Sequence, residues 1–340
     1  MIDKDQLREF DKLWKCDEWG KWSRYFNTKR GVKSFGLKFK EGRGIKVFVS
    51  EKFTFENLRE YCIINTYFAY YNLSPKLYDW GQQNGYYYIE VEDVKGRVPD
   101  NCDDFCNSIF DLYATIDWIV PYGIDLTIKK NYKDGKYLDF HGFKINWNKF
   151  GVWWCEQIKK SHWGKLNNAD VKFAYQTNDL SVGKRSLKQR VKEMKLEAVD
   201  FRDRTVLDIG CNLGVMGYFA ELSGATVLGV DCFEDFKLLA DIYKYFRMIR
   251  NIEFIDCKLT PDNIDQFGKF DIVFYFAMVH SLGYPKKLKD ITKELLIFEG
   301  HNEQDKDEVK IKLNEIFKVV DFIGYTTDRG KRPVFYCRHS

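Results

Sequence analysis

The chain has nine cysteines and no C-x-x-C pair among them. Cys102 and Cys106 are close in sequence, but no second pair and no histidine stands near them. That excludes the usual zinc spacings, and no metal is expected. The odd, scattered set of thiols suits a reducing compartment. A charge bias is missing too. Against 50 acidic residues stand 54 basic ones, leaving +4 in 340 residues, so composition neither demands nor excludes a nucleic-acid partner. No uncharged apolar run approaches membrane-spanning length. The opening MIDKDQLREF is charged and lacks the apolar stretch of a secretory signal. No repeat or low-complexity tract stands out. The expectation is a cytoplasmic chain of two domains.

What the chain does have is aromatic side chains, at 17 %, many of them in the first half. There, strand-like runs (SFGLKF, GIKVFV, GYYYIEVE) alternate with stretches of helical spacing, FENLREYCIINTYFAYY and DDFCNSIFDLYATIDWIV. Between Lys165 and Asp179 apolar density falls and Asn and Asp gather, which predicts a linker and domains at 1–165 and 166–340. A basic amphipathic helix, GKRSLKQRVKEMKLEAV, follows. Then strands and helices alternate. TVLDIG, TVLGVD, IEFID, FDIVFYFA and LLIFEG read as strands; VMGYFAELSG, DFKLLADIYKYFRMI, KKLKDITKEL and VKIKLNEIF read as helices. VVDFIGYT and RPVFYCR read as a closing antiparallel pair. Such alternation predicts an α/β domain with a sheet wound on both faces. Ligands on these sheets bind at the carboxyl ends of the strands.

The stretch VLDIGCNLG carries the chemistry. The strand ends at Gly210 and a helix begins near Leu213, so unpaired N–H groups and a partial positive charge face the turn. Gly210 and Gly214 allow a ligand close to the backbone, and Asn212 tolerates a left-handed conformation. The second strand ends in Asp231, placed to accept the two hydroxyls of a ribose. The third ends in Asp256, placed to accept from an adenine amino group. A nucleoside with a short polar chain satisfies all three.

This D-x-G-x-N-x-G pattern, with an acid after each of the next two strands, resembles the class I S-adenosylmethionine-dependent methyltransferases over about residues 171–340. The resemblance implies a Rossmann-like seven-stranded sheet and S-adenosylmethionine as cofactor. It also implies a cofactor site of Asp208, Gly210, Cys211, Asn212, Gly214, Asp231, Cys232, Asp256, Cys257 and Phe276. Asp208 and Gly210 would face the methionine part, Asp231 the ribose, and Asp256 with Cys257 the adenine. Asn212 replaces the family's middle loop glycine. A dinucleotide dehydrogenase would need G-x-G-x-x-G, which this loop breaks.

In the same family the ends of the fourth and fifth strands border the methyl acceptor. FYFAMVHSLGYP and IFEGHNE place Phe276, His280, Tyr284, Glu299 and His301 there, with His280, His301 and Glu299 as candidate catalytic groups. Lys184, Arg185 and Arg329, with Lys331 and Arg332 nearby, form a candidate clamp for an anionic acceptor.

The first half resembles the small lobe of a protein kinase or sugar kinase, and the whole chain resembles a reduced, reordered relative of the bifunctional kinase–methyltransferases of polysaccharide chain termination. The resemblance rests on Lys46 in a strand and Glu60 in the next helix. YGIDLTIKKN and YLDFHG supply Asp125, Asn131 and Asp139 as counterparts of the catalytic and metal-binding loops. The glycine-rich loop and the His–Arg before Asp125 are missing, so a degenerate module is expected. Three functions follow. One is methyl transfer to an oxygen of a polar acceptor, a sugar or sugar phosphate of a glycan. The others are methylation of RNA or a nucleotide held by the aromatic first half, and a non-catalytic adenosyl-binding pseudokinase.

Overall fold

A computed structural model of the protein describes residues 22–27, 33–38, 43–48, 53–83, 86–92, 94, 116, 118–121, 132–133, 136–137, 143–160, 174–176, 178, 180, 183–232, 236–328 and 330–340. The chain divides into two units, Met1–Phe150 and Gly151–Ser340.

In the first unit, β1 (Trp22–Asn27), β2 (Lys33–Lys38), β3 (Arg43–Phe48), helix α1 (Phe55–Tyr70), β4 (Leu77–Gln83) and β5 (Tyr86–Glu92) follow one another. The strands form an antiparallel sheet in the order β1-β2-β3-β5-β4. Helix α1 starts at a capping box: Thr54 Oγ1 accepts from the Asn57 N–H at 3.2 Å, and Asn57 Oδ1 accepts from the Thr54 N–H at 3.0 Å. Buried Leu58, Tyr61, Cys62 and Phe68 of α1, with Ile45, Val47 and Phe48 of β3 and Ile89 of β5, belong to this unit's core. Shorter pieces follow. β6 (Ile119–Pro121) pairs with β9 (Phe143–Ile145), β7 (Tyr132–Lys133) pairs with β8 (Lys136–Tyr137), and helix α2 (Trp147–Lys160) carries the chain from Phe150 of this unit into the second. Most of the expected helix DDFCNSIFDLYATIDWIV lies outside the described residues, and its last two residues stand in β6.

The second unit opens with β10 (Ala174–Gln176), β11 (Gly183–Arg185) and α3 (Leu187–Glu193). The alternating part follows: β12 (Thr205–Ile209), α4 (Val215–Leu222), β13 (Thr226–Asp231), α5 (Phe236–Arg247), β14 (Ile252–Asp256), β15 (Phe270–Phe276), α6 (Val279–Leu282), α7 (Leu288–Ile291), β16 (Thr292–Glu299), α8 (Lys306–Asn314), β17 (Val319–Thr326) and β18 (Arg332–Arg338). The sheet order is β14-β13-β12-β15-β16-β18-β17, parallel except for β18, which runs antiparallel to both neighbours. This is the seven-stranded mixed sheet that the resemblance implied. Strand order reverses between β12 and β15, so their carboxyl ends open a natural ligand position. Leu207, Ile209, Val230, Val273, Tyr275, Leu296, Phe298 and Phe335 are all buried in one core, as expected of strands covered on both faces.

Two elements differ from the expectation. The basic helix starts late, because Gly183–Arg185 pairs in parallel with Ala174–Gln176, and Ser186 then caps α3 by accepting from the Gln189 N–H at 3.3 Å. KKLKDITKEL is helical only over Leu288–Ile291. At Thr292 the side-chain hydroxyl donates to the Leu288 carbonyl at 2.7 Å and the chain joins the sheet opposite Phe270, so β16 begins three residues before the predicted LLIFEG. Among the described residues, no helix is long and apolar enough to cross a membrane.

Candidate functional site

The turn after β12 is left-handed at three positions, Gly210 (φ +70°), Asn212 (φ +51°) and Gly214 (φ +73°). Glycine is required at two of them for space as well. A Cβ on Gly210 would lie 2.2 Å from the Met278 sulfur, and one on Gly214 would lie 2.4 Å from the Phe254 ring. Asp231, ending β13, holds this turn: its carboxylate accepts from the Asn212 N–H and from the Cys232 N–H, each at 2.8 Å. Burial pushes the Asp231 carboxyl up to about 6 against these two bonds. Each carboxylate oxygen retains a second lone pair for a further donor.

Asp208 lies one turn of chain earlier, inside β12, and is 2 % exposed. Its Oδ2 is buried without a hydrogen-bond partner. Burial raises its pKa to about 7, with Asp231 adding to the rise and with Arg190 and a backbone hydrogen bond from Gly217 opposing it. A buried carboxylate with an unused oxygen calls for a cationic donor. Asp256 stands exposed at the end of β14, in register with Asp231. The Cys257 N–H donates to the Asp231 carbonyl at 2.8 Å. Cys211 is buried, with its thiol pKa raised by burial, whereas Cys232 is exposed and Cys257 half-buried. Apart from Phe276, which ends β15, the predicted cofactor residues thus gather at three adjacent strand ends. Their donors and acceptors fit an amino-acid head on Asp208, vicinal hydroxyls on Asp231 and a flat ring beside Asp256 and Cys257.

The fourth and fifth strand ends carry the other candidates. Phe276 is buried, stacked on Phe274 at 4.8 Å, and the Arg190 guanidinium lies 5.2 Å from its ring centre. Beyond it, Ala277 takes φ +58° and turns the chain so that Met278 covers Gly210. His280 and His301 meet edge to face with ring centres 4.0 Å apart; His280 is exposed and His301 half-buried. The His301 N–H donates to Gln304 Oε1 at 2.6 Å, and Gln304 also bonds Tyr284. Burial raises the Tyr284 pKa, which keeps its hydroxyl a donor, and its ring stacks on Phe298 at 5.8 Å.

Glu299 and Arg185 depart from their predicted roles. Glu299 is fully buried. Its Oε1 accepts from Arg185 Nη2 at 2.6 Å and Thr326 Oγ1 at 2.5 Å, and its Oε2 from Arg185 Nη1 at 3.0 Å and Arg190 Nη2 at 2.9 Å. Despite the burial, which alone would raise it, the two arginines hold its pKa at about 2. A carboxylate so engaged is a poor proton acceptor; it fixes two guanidiniums. Arg185 is fully buried as well and also bonds Asp328, at 2.8 Å through Nη2, so it faces inward rather than toward an acceptor. Arg332, named beside the clamp, is buried against Asn302 Oδ1 at 2.5 Å. Lys184 stands in β11, and Arg329 lies outside the described residues. Arg190 was not predicted. It sits on the apolar stripe of α3 with Val191 and Met194, and a cation on such a stripe is a readable sign of a buried partner.

Of the kinase-like positions, Asp125, Asn131 and Asp139 lie outside the described residues. Lys46 Nζ is 3.4 Å from the Tyr61 hydroxyl. The buried Glu60 carboxylate accepts from Lys144 Nζ at 3.0 Å and from the Ile145 N–H at 3.3 Å.

No family model matches the chain, and no curated protein matches it. Among solved structures it is similar to the bifunctional kinase-methyltransferase WbdD, at 19 % identity and a TM-score of 0.41 over 51 % of this chain and 45 % of that one. It is similar to ribosomal protein L11 methylase from Lactobacillus delbrueckii subsp. bulgaricus, at 19 % identity and a TM-score of 0.37 over 45 % of this chain and 78 % of that one. A third is magnesium protoporphyrin IX methyltransferase (ChlM) from Synechocystis PCC 6803 with bound SAM, at 14 % identity and a TM-score of 0.38 over 70 % of this chain and 94 % of that one. The match spans less than half the length of WbdD.

Proposed function

We propose that the second unit is an S-adenosylmethionine-dependent methyltransferase that transfers a methyl group to a hydroxyl oxygen of a polar acceptor, such as a sugar of a glycan. The observation that carries this reading is the unpartnered, buried Asp208 oxygen beside the left-handed Gly210–Gly214 turn, with Asp231 and Asp256 at the next two strand ends. When bound, the cofactor supplies a sulfonium methyl group ready for in-line displacement. Asp208 would hold its ammonium, Asp231 its ribose hydroxyls, and Asp256 and Cys257 the edge of its adenine. Methyl transfer is then largely positioning.

The acceptor side favours a hydroxyl over a phosphate. A phosphate is already anionic and needs cations to hold it, yet Arg185 is turned inward onto Glu299 and Asp328. A hydroxyl needs a proton acceptor, and His280 stands exposed at the end of the fourth strand, touching His301. The paired rings give a proton taken from the acceptor a second place to go. Tyr284, a donor on the same rim, orients the substrate oxygen.

Incubation with methyl-labelled S-adenosylmethionine and fractionated cell extract tests the reading. Label in a glycan fraction, lost with Asp231→Ala, is the expected result. RNA-stimulated labelling of nucleic acid would replace the acceptor, and tight S-adenosylhomocysteine binding without turnover on any fraction would replace the activity.

A further inference from the structure

Two cysteines follow adjacent strand ends at the edge of this site. β13 and β14 are parallel neighbours whose last paired residues are Asp231 and Asp256. One residue beyond each strand comes a cysteine, Cys232 and Cys257. The last pair is closed by the Cys257 N–H, which donates to the Asp231 carbonyl at 2.8 Å and so holds the start of one cysteine's backbone against the strand that carries the other. Adjacent strands run about 4.8 Å apart, inside the roughly 4.4–6.8 Å between α-carbons that a disulfide spans. Both cysteines are reduced; Cys232 is exposed and Cys257 half-buried, so an oxidant reaches them. Cys257 Sγ also accepts from Gln266 Nε2 at 3.2 Å, which holds that sulfur at the strand end. The Cys232 thiol is pushed up by burial, then by Asp231, with Lys258 opposing and smaller contributions from Asp256 and Cys257, which places these groups near it and slows its own attack on an oxidant. The third nearby cysteine, Cys211, is buried and stands apart from the pair's surface.

We propose that Cys232 and Cys257 form a reversible disulfide that closes the adenosyl edge of the site; the closing, though not the bond itself, rests on the reading of the function given above. The co-reactant is a peroxide. One thiolate attacks its O–O bond, which breaks; a sulfenic acid forms and water or an alcohol leaves. The second thiolate then attacks that sulfur, the S–O bond breaks, the S–S bond forms and water leaves. Sulfur is oxidised, the peroxide is reduced, and the two thiol protons end in the released water or alcohol. Both residues lie just past regular pairing, where the backbone can adjust to an S–S bond. A bridge between adjacent strands is also of the strained kind that thiols reduce readily. The link acts on cofactor binding through Asp231, because the Cys232 N–H is one of the two donors holding that carboxylate. Drawing Cys232 toward Cys257 moves this donor and lays two sulfurs across the edge assigned to adenine.

The test uses the full chain treated with hydrogen peroxide, alkylated, digested and analysed by mass spectrometry, with calorimetric titration by S-adenosylhomocysteine before and after. A peptide linking Cys232 to Cys257 is expected, with affinity falling about tenfold or more, the scale of one lost charge-assisted contact. Dithiothreitol should restore it. Cys232→Ser and Cys257→Ser should each keep, after peroxide, the affinity they had before. Absence of the linked peptide overturns the proposal, as does a linked peptide with unchanged affinity. A linked protein that binds no S-adenosylhomocysteine even when reduced supports the disulfide and overturns the methyltransferase reading instead.

Discussion

Asp208 in β12 and Glu299 at the end of β16 are two carboxylates of one sheet, 2 % and 0 % exposed. Burial works equally against the charge of both, yet their pKa values move apart, to about 7 for Asp208 and about 2 for Glu299. The difference lies in their partners. Glu299 has both oxygens taken by Arg185, Arg190 and Thr326, whereas Asp208 has a backbone hydrogen bond from Gly217 and an Oδ2 that no side chain reaches. A buried acid with every lone pair engaged is framework. One with an oxygen left over is what the proposed cofactor site rests on, and here it lies beside the left-handed Gly210–Gly214 turn.

The sharpest way to break this contrast is to remove the framework acid. Glu299→Ala removes the carboxylate that Arg185 and Arg190 share, leaving Arg185 with Asp328 and stripping Arg190 of its ion pair to Glu299, and should cost about 3–5 kcal/mol in denaturant unfolding; a loss within error would mean that the arginines have other outlets. Asp208→Asn should do the reverse without ligand. Raising a carboxyl from 3.8 to about 7 opposes folding by about 4 kcal/mol at most, and the amide escapes that penalty. The variant should therefore be more stable above pH 7 while losing cofactor affinity.

The pH dependence of stability separates the two acids directly. Glu299, depressed in the fold, binds fewer protons folded than unfolded, so its contribution is present above pH 4.5 and disappears as pH falls toward 2. Asp208 and Asp231 are raised, so the folded chain holds more protons. Between about pH 4 and 7 they make stability fall as pH rises. Glu299→Gln should flatten the acid limb alone, and Asp208→Asn should flatten part of the fall toward neutrality.

On the acceptor side, His280→Ala should lower turnover roughly a hundredfold with little change in cofactor affinity if the imidazole takes the acceptor proton; unchanged turnover would leave it as packing for His301. The smallest effect is expected in the first unit. There Lys144→Ala exposes Glu60 to loss of a partner that is itself half in solvent, and should cost about 1 kcal/mol or less.

The sequence made the wound sheet legible because hydrophobic runs, glycine turns and strand-end acids are local features. The strand-end positions of Asp208, Gly210, Asn212, Gly214, Asp231 and Asp256 were legible for the same reason, since each follows directly from the alternation of strands and helices. The roles of Glu299 and Arg185 were not, because their pairing joins residues 114 positions apart and only the fold brings them together. Length of helix at KKLKDITKEL was misjudged where Thr292 enters the sheet, a tertiary contact overriding local preference. Arg190 was within reach of pattern reading, as a cation on an apolar stripe.

The most direct measurement is calorimetric titration with S-adenosylhomocysteine near pH 7 in buffers of different ionisation enthalpy, on the native chain and Asp208→Asn. If Asp208 meets the cofactor's ammonium, binding will expel the proton that burial retains there, and the variant will lose that proton release together with most of its affinity. No binding by the native chain, or the same proton release from both proteins, would contradict the assignment of this strand end as the cofactor's seat.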